Sequence, residues 1–254
     1  MVRLSYIDWP VSAESRRPLR DDVATANRIA HATGLVTAYG HVSARVPGTA
    51  SFLIPTRASP MLATAGGLLT MDLEGRVLDG EGQPNSEFWI HARIYAARPD
   101  VGAVAHVHAP ACVVLGQLGQ TVRPLHNSGT VAGHVEVYER AGLIRSRALG
   151  DAVAAVLGPR RAMLLRGHGA NVAEADVRRA IVVACFLEEA ARLQVQALAA
   201  AGGDAARIEF YDAEEVDRLR GELDAPAPME RAWVYYSALA GSGDPGPRRP
   251  DGMV

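Results

Sequence analysis

Residues 84–109 read PNSEFWIHARIYAARPDVGAVAHVHA, and this stretch has the strongest local signals in the chain. Its first half spaces apolar side chains in a way that predicts a helix over 87–98. Pro99 ends that helix, because proline has no backbone N–H to continue the hydrogen-bond ladder. The small and β-branched residues over 101–108 then predict a buried strand. The rest of the sequence extends this helix and strand pattern in both directions.

The hydrophobic pattern predicts further elements on both sides. The predicted strands cover 41–46, 51–55, 68–73, 76–80, 121–126 and 161–167. The predicted helices cover 21–32, 110–118, 149–158, 174–201 and 213–222, with aromatic residues at 230–239, a loop at 127–134, and helix caps at Asp21 or Asp22 and at Asn85 or Ser86. Because the strands cluster early and several are joined by short turns, we expect one α/β domain over 1–240, with a central, mainly antiparallel sheet flanked by helices in three layers. We also expect an irregular arm over 1–17 and a disordered tail over 241–254.

Composition and charge argue against several classes of protein. The 254 residues have a formal net charge of -2, whereas nucleic-acid binding requires a basic surplus. The longest apolar run, Ala180 to Leu187, is too short to cross a bilayer, and the first ten residues lack the apolar run of a signal peptide. Cys112 and Cys185 give neither a disulfide framework nor a zinc-ribbon spacing. We therefore expect a cytoplasmic protein with no nucleic-acid or membrane partner.

The basic residues exclude two kinds of chemistry. All 26 residues counted as lysine or arginine are arginine. A Schiff base with a carbonyl substrate or with pyridoxal phosphate requires a lysine amine, and so does a Walker A phosphate loop. Neither chemistry is open to this chain.

Three histidines and one glutamate have the features of metal-site residues. His106 and His108 lie two apart on a predicted strand, so their side chains share one face and can bind one divalent metal. His168 lies between two glycines at the end of an apolar run, where the backbone can turn tightly. Glu87 lies in the first turn of a predicted helix, where the free N–H groups favour a carboxylate. Taken singly, these residues are equally typical of a polar strand end, a loop histidine and a capping glutamate.

Together, the four residues indicate a catalytic metal site. Three neutral imidazoles and an open coordination position are typical of catalytic rather than structural metals. The carboxylate then serves as an acid/base group or as a replaceable fourth ligand.

Four motifs within residues 20–200 resemble the class II aldolase/adducin family. They read GHVSARVPG (40–48), FLIPTR (52–57), PNSEFWIHARIYAARPDVGAVAHVHA (84–109) and LLRGHGANV (164–172). The resemblance implies a central antiparallel sheet, one divalent metal per subunit held by three histidines, and a homotetramer with sites at subunit interfaces. Matched motif by motif, it implies His106, His108 and His168 as metal ligands and Glu87 as the acid/base residue.

Several positions depart from the sugar-phosphate aldolases of this family. Those enzymes have asparagine, glycine and serine where this chain has His41, Arg57 and Asn85, at positions that help to cradle a substrate phosphate. Arg57 would fill such a phosphate nest, and it can instead bind a carboxylate through two parallel hydrogen bonds. The stretch PLHNSGT offers His126 and Asn127 where aldolases often have a tyrosine that protonates the leaving group. An aldol step would therefore lack one expected proton donor.

The GHVS and PLHN patterns are similar to the hydroxy-aromatic decarboxylase branch of the family. We therefore predict a divalent-metal-dependent carbon–carbon lyase, a decarboxylase of a small hydroxy-aromatic or hydroxy/oxo acid, working through an enolate-type charge that the metal stabilises. The predicted substrate-binding residues are His41, Arg57, Ser86, Asn127 and Tyr236. Tyr236, or its neighbour Tyr235, is expected to reach the site of an adjacent subunit or else to pack its own helix.

Three alternatives stay open at this point. They are an aldolase or epimerase acting on sugar phosphates, an Fe(II)-dependent oxygenase of the aminocoumarin type, and a non-catalytic adducin-like domain. Imidazole ligands accept several metals, so the prediction is zinc or manganese, or iron for an oxygenase. The expected partners are a small-molecule acid as substrate and further copies of the chain in a tetramer.

Overall fold

A computed structural model describes residues 17–241. The predicted arm, apart from residue 17, and residues 242–254 of the predicted tail lie outside the described residues. The helices are α1 (Arg17–Ala32), α2 (Phe88–Ala97), α3 (Pro110–Gln117), α4 (Arg147–Leu157), α5 (Val177–Ala200), α6 (Ala213–Leu223) and α7 (Pro226–Gly241). The strands are β1 (His41–Arg45), β2 (Ser51–Pro55), β3 (Leu68–Asp72), β4 (Val77–Asp79), β5 (Ala103–Val107), β6 (Val135–Tyr138), β7 (Ala162–Leu165) and β8 (Gly169–Glu174).

The eight strands form one sheet in the order β4-β3-β2-β1-β5-β8-β7-β6. Every neighbouring pair is antiparallel except β6 and β7, which are parallel. Helices cover both faces of the sheet. One buried cluster joins the sheet to α1, α3, α5 and α7, and a second joins its other face to α2 and α4. The expected three-layer α/β architecture with a mainly antiparallel sheet is confirmed.

The sheet register brings the polar ends of three strands together at one edge of the sheet. His41, the first residue of β1, pairs directly with His106 near the end of β5. On the other side of β5, His106 pairs with Asn171 of β8. The β7–β8 hairpin turns at this same edge, because Leu165 pairs with Gly169.

Two predictions of strands and loops are wrong. Residues 121–126 form no strand, although their β-branched residues favour one, because they run outside the sheet and have no pairing partner. Strands β6 and β8 were both missed. In β8, the small residues and Asn171 of GANVAE give no clear alternation, since all six of its residues are buried.

The helix boundaries also correct the predicted caps. Because α1 begins at Arg17, Asp21 and Asp22 lie inside the helix and cap nothing. The N-cap of α2 is Glu87, while Asn85 accepts a hydrogen bond from the Glu87 backbone N–H at 3.1 Å. The longest helix, α5, begins after Asp176, whose carboxylate accepts the Arg179 N–H at 2.9 Å. At the other end of the chain, α7 runs through residue 241, the first residue of the predicted tail. Among residues 17–241, no helix combines the length and the apolar character that crossing a membrane requires.

Candidate metal centre

Strand β5 presents two imidazoles on the same side, as the alternation of strand side chains predicts. Nε2 of His106 lies 3.1 Å from Nε2 of His108, and the two ring centroids are 5.0 Å apart. His106 is fully buried, and His108, just beyond the strand, is half-buried. Two ring nitrogens therefore face one point in space from adjacent positions on one strand.

The β7–β8 hairpin brings the third imidazole to the same point. His168 is the last of the three residues in the hairpin turn, and its ring centroid lies 4.9 Å from the centroids of both His106 and His108. The next residue must be glycine. Gly169 has a φ of 148°, and a Cβ there would lie 2.0 Å from the carbonyl oxygen of Val107. The glycine thus lets the hairpin approach β5 closely enough for the three rings to meet.

Glu87 closes the cluster from the start of α2. One carboxylate oxygen, Oε1, accepts a hydrogen bond from the backbone N–H of Ile144 at 2.7 Å. The other, Oε2, lies 3.5 Å from Nε2 of His168 and 4.0 Å from Nε2 of His106. One oxygen is therefore fixed by the backbone and the second points at the imidazoles.

Burial and mutual repulsion keep the imidazoles of His106 and His108 neutral. Burial is the main reason that the pKa of His106 falls well below its usual value, and the neighbouring histidines lower it further. Burial and His168 lower the pKa of His108 to about 4. Burial alone would raise the pKa of Glu87, but the neighbouring His168 and His106 and the Ile144 N–H outweigh it and lower the pKa. At neutral pH, His106 and His108 are therefore neutral and Glu87 is a carboxylate.

These residues fit a divalent cation. One ligand atom from each of the four residues lies within 4.8 Å of all the others. Nδ1 of His168 is buried with no hydrogen-bond partner among the described residues, and Oε2 of Glu87 lies beyond ordinary hydrogen-bond length from its ring. Nδ1 of His106 lies 2.8 Å from Oδ1 of Asn171, and since an amide oxygen can only accept, the proton is on Nδ1 and the Nε2 lone pair is free. Neutral nitrogen donors beside one carboxylate are a typical donor set for zinc and for other first-row metals.

His41 lies beside the cluster and is buried. Its ring centroid is 5.2 Å from that of His106, and it is 2% exposed. Its Nδ1 lies 2.6 Å from Nε2 of His91. His91 lies one helical turn after Glu87, and its ring nitrogens contact His41 and Ser43.

The other predicted substrate contacts lie apart from one another. Ser86 is half-buried next to Glu87. Arg57 is exposed, with Nη1 donating to Oε1 of Gln83 at 3.0 Å. Within residues 17–241, Arg57, Asn127 and Tyr236 make no hydrogen bond or ring contact with the four clustered residues.

Asn127 and Tyr236 lie in the helical layer on the other face of the sheet from α2, the helix that begins after Glu87. Oδ1 of Asn127 accepts a hydrogen bond from the Tyr211 hydroxyl at 2.9 Å. Tyr236 packs against the core beside α5, with its ring centroid 5.1 Å from that of Tyr235.

Three functional contacts were missed from the sequence. They involve Asn171, which fixes the ring of His106, Ile144, whose N–H holds Glu87, and Ser43, which contacts His91. Only Asn171 had a local signal, since it follows His168 by three residues in LLRGHGANV.

A cavity of about 700 Å³ lies at the other ends of β1, β5 and β8, away from the metal centre. In its wall, Arg178 bonds Asp22 at 3.0 Å and lies 3.6 Å from Glu230, and Arg45 donates to backbone carbonyls at the end of α2.

The matched family is described as "Class II Aldolase and Adducin N-terminal domain", and its model covers residues 21–195. The chain is 34% identical over 211 residues to the 3,4-dihydroxyphthalate decarboxylase of Terrabacter sp., covering 76% of this chain and 86% of the relative. It is 33% identical to the 5-methylthioribulose-1-phosphate/5-deoxyribulose-1-phosphate aldolase of Rhodospirillum rubrum, covering 76% of this chain and 90% of that one. An aldolase II superfamily protein from Pseudomonas syringae has a similar structure, with a TM-score of 0.78, 27% identity, and coverage of 92% of this chain and 96% of that one.

The chain belongs to the class II aldolase/adducin family. The resemblance read from its motifs is confirmed. Both enzymes named above break carbon–carbon bonds, so the chain is a metal-dependent carbon–carbon lyase of this family, as its sequence predicted. The oxygenase, epimerase and non-catalytic alternatives are not favoured.

Proposed function

We propose that this protein decarboxylates a small aromatic acid that has a hydroxyl group next to the departing carboxylate. The Terrabacter relative is named for a reaction of this kind, on a ring with two hydroxyls and two carboxylates. The observation that supports the proposal most is the cluster itself: three imidazoles converge beside a carboxylate whose Oε1 accepts the backbone N–H of Ile144. Two adjacent substrate oxygens suit such a centre, because chelation fixes the ring and aligns the bond to be broken.

His106, His108 and His168 would hold one divalent metal, zinc or manganese in this proposal, with iron reserved for the oxygenase alternative. When bound, the ion supplies a Lewis acid that stabilises negative charge developing on a substrate oxygen. Asn171 keeps the Nε2 lone pair of His106 directed at the ion.

Glu87 is the proposed acid/base residue. Its lowered pKa keeps it ionised at neutral pH, so Oε2 can accept the proton of the substrate hydroxyl. The protonated Glu87 then gives that proton to the ring carbon bearing the carboxylate. The bond from this carbon to the carboxylate breaks, its electron pair returns to the ring, and CO2 leaves. A proton from water finally restores the hydroxyl, so one proton is consumed for each CO2 released.

Arg57, Ser86, Asn127 and Tyr236 remain proposed substrate contacts. Arg57 is proposed to bind a second carboxylate, because its guanidinium is exposed and its Nη1 is held only by the neutral Gln83 side chain. Asn127 and Tyr236 lie in the opposite layer, which suits a contribution to the site of a neighbouring subunit. We propose a homotetramer on the family resemblance. We propose a cytoplasmic location because Cys112 and Cys185 give no disulfide framework. The single-domain span of 1–240 stays a prediction.

The experiment is a substrate panel assayed without oxygen. The protein, purified without chelator, is loaded with zinc or manganese and given 3,4-dihydroxyphthalate, its analogue phthalate, and a phosphorylated ketose. We expect CO2 from the dihydroxy acid and none from phthalate. Cleavage of the phosphorylated ketose with no CO2 from any aromatic acid would overturn the proposal in favour of an aldolase, and a strict need for oxygen would favour an oxygenase.

A matched pair of variants tests the acid/base role. Glu87→Gln should keep its metal and lose CO2 release by about 100-fold or more, since general acid–base catalysis contributes that much. Glu74→Gln, at an exposed position, should match the unmodified protein. Full turnover by Glu87→Gln would show that Glu87 moves no proton.

A further inference from the structure

Four polar side chains form a continuous buried chain behind the metal centre. Nδ1 of His41 lies 2.6 Å from Nε2 of His91, and Nδ1 of His91 lies 2.6 Å from Oγ of Ser43. That Oγ lies 2.7 Å from the hydroxyl oxygen of Tyr95. The four residues are at most 2% exposed. Such groups are costly to bury unless every donor meets an acceptor, so the order of donors and acceptors along the chain is constrained.

The outer end of this chain is at the metal centre. His41 pairs with His106 across β1 and β5, and its ring centroid is 5.2 Å from that of His106. The inner end, Tyr95, is on α2 and packs against Phe52 of β2. The chain therefore runs from the site into the apolar core.

The direction of the hydrogen bonds follows from proton counting. Among residues 17–241, the hydroxyl of Tyr95 bonds Oγ of Ser43 and no other acceptor, so it donates its proton there. Ser43 then donates its own proton to Nδ1 of His91, which leaves the N–H of that ring on Nε2. Since Nδ1 of His41 is the partner of this N–H, the proton of His41 is on Nε2.

Each following contact is then fixed in turn. Nδ1 of His41 accepts from Nε2–H of His91, and Nδ1 of His91 accepts from the hydroxyl of Ser43. The Oγ of Ser43 accepts from the hydroxyl of Tyr95. Tyr95 is the terminal donor, and burial raises its pKa, so it keeps its proton.

We propose that Tyr95, Ser43 and His91 are positioning residues that hold His41 in its Nε2–H tautomer, so that it offers a substrate oxygen a neutral hydrogen-bond donor. The tautomer of His41 is a property of the folded protein alone and does not depend on the substrate. The identity of the substrate oxygen rests on the proposed function. If the chain ran in the opposite direction, Nε2 of His41 would be an acceptor and would repel an anionic substrate oxygen.

Nitrogen NMR of the zinc-loaded protein tests the tautomer without any substrate. In protein labelled with ¹⁵N-histidine, the two neutral tautomers have different ring-nitrogen shifts, and a His41→Asn variant identifies the His41 signals. Ser43→Ala removes the donor to His91, and Tyr95→Phe removes only the terminal hydroxyl, a milder change. Ser51→Ala and Tyr138→Phe are matched controls, since both residues are buried in strands and neither is one of the four hydrogen-bonded side chains.

We expect the Nε2–H tautomer of His41 in the unmodified protein and in both controls, and a mixture of tautomers in Ser43→Ala and Tyr95→Phe. Zinc content should not change. In the CO2 assay, kcat should fall about 10- to 100-fold for Ser43→Ala and less for Tyr95→Phe, with KM within about threefold, because one hydrogen bond to developing charge is lost.

An Nδ1–H tautomer in the unmodified protein, or an unchanged tautomer in both variants, would overturn the inference. The same spectra would still decide it if no aromatic acid released CO2, because they require no turnover. A fall in kcat with an unchanged His41 tautomer would likewise count against it, since the loss would then be structural.

Discussion

Asn171 and His106 face each other across β8 and β5, with Oδ1 of the amide 2.8 Å from Nδ1 of the imidazole. This contact fixes the ring orientation of the most deeply buried histidine of the centre. The contact also follows from the antiparallel register. Strand β8 begins directly after His168 and runs beside β5, which places Asn171 opposite His106.

Removing that partner should weaken metal binding without unfolding the protein. Asn171→Ala is expected to raise the Kd for zinc by about 10- to 100-fold, as loss of a hydrogen bond to a ligating imidazole does elsewhere. Competition with a chelator measures this directly. The control is Asn27→Ala, because Asn27 is equally buried but joins α1 to β1. It should lower the melting temperature and leave the Kd unchanged. Equal zinc affinity in Asn171→Ala and the unmodified protein would refute the role given to Asn171.

Arg57 should affect substrate binding more than turnover if it binds a carboxylate. Replacing one charged hydrogen-bond partner costs about 1.5–3 kcal/mol, so Arg57→Gln is expected to raise KM by about tenfold or more. Its kcat should stay within about threefold. Arg76→Gln is the matched control, since Arg76 is also exposed but pairs with Asp72 at 2.7 Å. A loss confined to kcat would place Arg57 elsewhere in the reaction.

The two cysteines should be unreactive in the folded protein. Burial raises the pKa of Cys185 to about 12 and that of Cys112 well above its usual value. Because a raised pKa keeps a thiol protonated, the reactive thiolate stays scarce up to at least pH 9. A chromogenic disulfide reagent at pH 8 should therefore label neither thiol in the native state and both in denaturant. Rapid labelling of a native thiol would contradict the packing of α3 or α5 described here.

The sequence predicted the metal cluster better than its surroundings. His106 and His108 share a face because strand alternation fixes this locally, and the glycines around His168 indicated a tight turn. The meeting of His168 with the other two depends on the close approach of Gly169 to Val107, which no local pattern reports. Strand β8 was missed for a related reason. It lies inside the sheet between β5 and β7, and all six of its residues are buried, so its sequence need not alternate.

The contacts behind the site were also beyond local reasoning. Helical spacing puts His91 one turn after Glu87 but does not identify the partners of its ring. In the fold, the ring of His91 contacts His41 and Ser43 of β1, a strand more than 45 residues earlier in the chain. Residues 121–126 show the converse error: their composition favours a strand, but they pair with no strand of the sheet. Both the contacts of the His91 ring and the absence of a strand at 121–126 depend on which distant parts of the chain come together in the fold.

The metal content of protein purified without chelator tests the central claim most directly, when the unmodified chain is compared with His108→Ala. The account predicts about one divalent ion per unmodified chain and a small fraction of that in a His108→Ala variant that remains folded. A folded, active protein without bound metal, or full metal content in His108→Ala, would contradict a centre built by these three histidines.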